Sequence, residues 1–145
     1  MELISNIPNE ILFVGAIYKH PDYLVEYGHY VKSKYDFADE ATKFFYDAAL
    51  IIYETRTQEF NKTSVLTFMA EDESRLSKYK RLKGWSTIEY YMSLANDEDI
   101  KGYFNILKKY SLLREYQRNG FNIEGILKHR QFEMFGAQDI YKLIR

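Results

Sequence analysis

An all-α fold is expected from three features of the sequence. Apolar residues recur at i, i+3, i+4 and i+7 along several stretches, and no stretch alternates convincingly with period two. Helix breakers are sparse, with two prolines and seven glycines in 145 residues, and both prolines (Pro8 and Pro21) fall near the start. About eight short-to-medium helices fit in this length.

Asn6 followed by Pro8 reads as a cap and an early-turn proline, opening a helix that runs to about Lys19 with Ile11, Gly15 and Tyr18 on one side. Pro21 breaks it, and a short helix restarts with Asp22 in its first turn. "SKYDFAD" reads as a loop whose two aromatics, Tyr35 and Phe37, plug the core. From about Asp39 to Arg56, Ala41, Phe44, Phe45, Ala48, Ile51 and Ile52 keep the helical rhythm of a buried stripe. Asn61 reads as the cap of a short helix; the sequon it begins (Asn61-Lys62-Thr63) fits that role better than glycosylation. "ESRLSKYKRLKGW" ends in basic residues and Gly84, as a helix C-terminus should. Another helix opens near Trp85, with Trp85, Ile88, Met92 and Ala95 on one face. After the polar run "NDED", a long helix extends from about 98 to 119, halted by Gly120, and the pieces "IEGILKH" and "AQDIYKLIR" finish the chain.

The long helix carries an unusual pattern. Ile100, Tyr103, Phe104 and Leu107 line one side of its first half, whereas Leu112, Leu113 and Tyr116 lie on nearly the opposite side of its second. A helix packed on one neighbour keeps its stripe in place, so a crossing stripe implies two different neighbours: its own domain first, then a second helix or chain. The competing reading is a helix buried all round, against which Lys108, Lys109, Arg114 and Arg118 argue.

Composition removes several function classes. With no cysteine, disulfides, thiolate metal sites and cysteine nucleophiles are excluded. Three histidines, His20, His29 and His129, lack metal-like spacing, and the carboxylates of "AEDES" and "NDED" read as helix starts and solvated loops rather than an acid–base pair. Gly120 and Gly125 have phosphate-loop spacing, but Ile126 and Leu127 stand where lysine and serine or threonine are required. No catalytic residue, cofactor site or metal site is expected. The basic run Arg75, Lys78, Lys80, Arg81 and Lys83 could touch phosphates, yet Glu71, Asp72 and Glu73 precede it, and a helix graded to complement its own dipole explains the pattern. A net charge of −1 asks for neither nucleic acid nor an anionic membrane, and the absence of long apolar runs predicts a cytoplasmic protein with no membrane partner. Fourteen tyrosines and ten phenylalanines suggest a surface rich in contacts.

In order, "NEILFVGAIYKHPDYL", "DFADEATKFFYDAALIIYE", "GWSTIEYYMSLA" and "DIKGYFNILKKYSLLREYQRNGFNI" resemble the N-terminal domain of bacterial and phage replicative hexameric DNA helicases of the DnaB type, over about residues 8 to 123. The resemblance implies a globular helical head over 1–97, a helical hairpin over 98–131 and a linker segment over 132–145 leading toward a motor domain that the chain does not contain. It implies a non-catalytic module that self-associates into a collar and contacts primase or a helicase loader. ATP, magnesium and DNA would be handled by the parent helicase. Matched to the hairpin pattern, Tyr103, Ile106, Leu107, Tyr110, Leu113 and Arg114 are the candidates for hairpin packing or for self-association and partner contact. One departure stands out: the return segment, "NGFNIEGILKHRQFEMFGAQDIYKLIR", is shorter than the family's second hairpin helix and is broken by Gly125 and Gly136. The alternative function is a small stand-alone helical regulator that binds such a helicase or its loader.

Overall fold

The structure, a computed structural model, describes residues 2–144. Among these all regular secondary structure is helical: α1 (Ile7–Lys19), α2 (Tyr23–Tyr27), α3 (Ser33–Asp36), α4 (Glu40–Thr55), α5 (Lys62–Met69), α6 (Glu73–Arg81), α7 (Gly84–Leu94), α8 (Ile100–Arg118), α9 (Glu124–Leu127) and α10 (Ala137–Ile144), with two single 3-10 turns. The all-α expectation holds.

Helix starts follow the local chemistry. The Asn6 side chain accepts from the Asn9 amide ahead of Pro8, and Asp39 and Asp72 cap α4 and α6 in the same way. Asn61 and Ser64 form a reciprocal capping box, Asn61 Oδ1 accepting from Ser64 N at 2.9 Å and Ser64 Oγ accepting from Asn61 N at 3.0 Å. Between α6 and α7 only Leu82 and Lys83 intervene, Lys83 in the left-handed region at φ 73°. "SKYDFAD", expected as a loop, contains the short α3; Phe37 is buried as expected, but Tyr35 is 52% exposed.

The principal core is centred on α1, which packs against α7, α8 and α4. The α1–α7 crossing is close because position 15 is glycine: a Cβ there would lie 2.2 Å from the Tyr91 carbonyl oxygen. Phe13, fully buried, is the aromatic hub, with ring centroids 6.1–6.3 Å from Tyr46, Tyr27 and Phe37. Much of the aromatic content is therefore core, and two of its buried hydroxyls are satisfied by backbone carbonyls, whereas that of Tyr79 has no hydrogen-bond partner among the described residues. Tyr18 donates to the Phe45 carbonyl at 2.7 Å and Tyr46 to that of Val31 at 3.0 Å. On α4 the buried positions are Thr42, Phe45, Tyr46, Ala48, Ala49 and Ile52, so the stripe is rotated from the expected one and Ile51 is left 44% exposed.

A second, smaller core lies beyond the first, formed by Leu113, Ile123, Ile126, Phe132 and Ile140, with Ile4, Tyr110, Leu112 and Tyr116 packed on it. Residues 132–144 are the segment expected as a linker. They fold back, and α10 packs on α8 through the fully buried Ile140.

Candidate self-association surface

α8 runs between the two cores. Ile100 and Leu107 belong to the principal one and Leu113 to the second, so the stripe crosses because the helix changes neighbours. The second neighbour is the C-terminal segment of the same chain. Between Leu107 and Arg114 the helix is buried on both sides, and two of the charges that argued against burial, Lys109 and Arg114, are 3% and 1% exposed.

These buried cations are held by carbonyls rather than carboxylates. Lys109 Nζ donates to the Phe132 carbonyl and sits 3.9 Å from the centre of its ring. Burial pushes its pKa below the usual lysine value, opposed by the charge of Glu133. Arg114 donates to the Ile4 and Tyr35 carbonyls at 3.3 and 3.2 Å, tying the N-terminal segment and α3 to α8. Burial lowers its pKa too, and Glu10 is the main opposing charge. The spacing contains the signal that residue-type averages missed: Arg114 lies seven positions from buried Leu107, and Lys109 four from buried Leu113, so each shares an inward face.

The six residues proposed from the sequence therefore divide. Leu107, Leu113 and Arg114 are buried within their own chain, where they pack rather than present surface. Tyr103 and Tyr110 are half-buried: the Tyr103 hydroxyl accepts from the Asn96 amide at 3.1 Å, and the Tyr110 ring meets Phe132 edge-on at 6.2 Å. Ile106 alone is exposed, at 37%.

The N-terminal segment runs antiparallel to α8 on this flank. Ile4 N donates to Gln117 Oε1 at 2.7 Å, the Asn6 side chain is hydrogen-bonded to Tyr110, and Asn9 Nδ2 donates to the Tyr103 carbonyl at 2.9 Å. Leu3, Ile7 and Ile106 are each more than a third exposed, and the bonds made by Ile4, Asn6 and Asn9 place the first two on the segment that lies along α8. Leu3 and Ile7 escaped sequence reasoning because only the tertiary fold lays them against α8.

Elsewhere little reactive chemistry is assembled. No cluster of three or more His, Asp or Glu suited to a metal occurs among the described residues. His20 stacks on Tyr23 and His129 on Phe135, as structural histidines do. In the basic run, Lys78 and Arg81 pair with Glu40, and Arg75 lies 3.7 Å from the Phe68 ring centre, which leaves few cations free. No helix among the described residues is long and apolar enough to cross a membrane.

The chain is similar to an SPbeta prophage-derived uncharacterized protein, YorI, of Bacillus subtilis strain 168, at 28% identity over 116 residues. The match covers 80% of this chain but only 23% of that protein, so the chain spans less than a quarter of its relative's length. No family model and no solved structure matches the chain.

Proposed function

We propose that the chain is a non-catalytic assembly module of a replicative DNA helicase, cytoplasmic, which self-associates and recruits primase or a helicase loader. The observation that carries the self-association is the exposure of apolar Leu3 and Ile7 on the N-terminal segment along α8 and of Ile106 on α8 itself, with half-buried Tyr103 and Tyr110 one turn to either side of Ile106. Apolar side chains on backbone already fixed by helices and hydrogen bonds lose little conformational freedom on docking, and such anchors carry most of the energy of an interface. The helicase assignment rests on the order and spacing of the four segments quoted above. The much greater length of the prophage relative is compatible with a module attached to a larger body.

One observation favours the alternative of a stand-alone regulator of the helicase or its loader: 132–144 packs back on α8 instead of projecting from the head. The two readings differ in the reading frame after Arg145, where a motor domain would bring a GxxxxGK[ST] phosphate loop. For the self-association itself, light scattering is expected to report a dimer or larger species at concentrations on the order of tens of micromolar. A monomer at several hundred micromolar overturns the claim.

A further inference from the structure

The segment from Gly28 to Ala38, "GHYVKSKYDFA", is built in an unusual way. Val31, Asp36 and Phe37 are buried, at 1%, 2% and 6% exposure, and hold the segment against the body. The side chains left outside are His29, Tyr30, Lys32, Lys34 and Tyr35, an alternation of aromatic and basic groups. Tyr30 and Tyr35 are 63% and 52% exposed, among the most exposed large side chains of the protein, although fourteen tyrosines were available to fill its cores.

α8 supports this segment from below. Lys108 donates to the Tyr30 carbonyl and, at 2.9 Å, to Asp36 Oδ2, and Ser111 Oγ donates to the Tyr35 carbonyl at 3.1 Å. Asp36, the segment's only acid, is neutralised by Lys108 and also accepts from the Lys32 amide at 2.7 Å. Lys32 and Lys34 form no ion pair among the described residues, and Lys34 hovers 5.5 Å from the Tyr35 ring centre. Lys32, Tyr35, Lys108 and Leu112 line a groove of about 460 Å³ that continues to Ala137 of α10. The one other acid on that groove, Glu115, is paired with Arg118.

We infer that this face binds single-stranded nucleic acid, with Tyr35 and Tyr30 as stacking platforms and Lys32 and Lys34 as phosphate contacts. Every base offers a π-face to an exposed aromatic ring, whereas a duplex hides its bases, and unpaired lysines between the rings suit a backbone that carries one phosphate per base. A protein partner would equally cover the tyrosines but would need carboxylates opposite both lysines. The inference does not depend on self-association, because that reading rests on different residues, Leu3, Ile7 and Ile106.

The test is fluorescence anisotropy of a labelled oligothymidylate of about twelve nucleotides, titrated with the full chain at two salt concentrations. Binding is expected to weaken with salt, with a log–log slope of about −0.7 per phosphate contacted, hence roughly −1.4 for the two lysines. Tyr35→Ala is expected to weaken binding about tenfold, and Lys32→Ala with Lys34→Ala to flatten the slope. Both changes are at exposed side chains, and circular dichroism unchanged from wild type confirms that each variant is folded. Absence of binding at about 1 mM protein in low salt overturns the inference. So does binding that these variants leave intact while Lys80→Ala with Lys83→Ala abolishes it, which would place the site on α6. Loss of self-association rather than of DNA binding in Tyr35→Ala would reassign the face to protein contact.

Discussion

Replacing Leu113 separates a residue inside its own chain from one that joins two chains. Leu113 is fully buried in a core of only five buried residues, so Leu113→Ala leaves a cavity that few neighbours can fill. The expected loss is about 2–5 kcal/mol, the range for truncating a buried leucine. That is a large fraction of the roughly 5–15 kcal/mol by which domains of this size are stable. Leu113→Asp puts a carboxylate in this apolar core and is expected to unfold it outright. Ile106, seven positions earlier and 37% exposed, provides the contrast. Ile106→Asp is expected to change stability by about 0.5 kcal/mol or less while shifting the association equilibrium toward monomer. Urea unfolding followed by circular dichroism, together with sedimentation velocity on the same samples, reads both quantities. A Leu113→Ala variant that keeps its midpoint but loses association would refute the assignment of Leu113 to the core. An Ile106→Asp variant that melts would refute the surface reading.

Two further outcomes are expected. Gly15→Ala should destabilise the chain by about 1–3 kcal/mol, because the added Cβ meets the Tyr91 carbonyl and must push α1 from α7; an unchanged thermal midpoint would disprove this close approach. Glu10 is 2% exposed and accepts from the amides of Ala38 and Asp39 and from the Thr42 hydroxyl. Burial nevertheless raises its pKa above the usual glutamate value, with those bonds and Arg114 opposing. A carboxyl with a raised folded pKa contributes stability that is fully present below its unfolded value and is lost as pH rises through the folded one. Glu10→Gln does not titrate, so its stability relative to wild type should increase as pH rises from about 4 to 7, measured by urea unfolding across that range. A relative decrease would reverse the assigned sign.

Much of the secondary structure was legible in the sequence because its signals are local. The caps at Asn6, Asp39 and Asn61 satisfy amides two or three residues away, and the stop at Gly120 uses a positive φ of 85° that glycine tolerates. The crossing stripe of α8 was legible for the same reason, since helical spacing alone puts the group around Leu107 and the group around Leu113 on nearly opposite sides. The stripe could not say what covers each face. That depends on chain more than a turn away: Ile140 and Phe132 folding back over Leu113, and the segment around Ile4 lying along Arg114. The candidate site suffered most from this gap. Leu107, Leu113 and Arg114 had the right residue types for contact but are used within their own chain, while exposed Leu3 and Ile7 sit on a segment that only packing lays along α8. Periodicity determined which residues turn inward on each helix; only the tertiary structure decided which chain they turn toward, because burial is a property of the neighbour as much as of the residue.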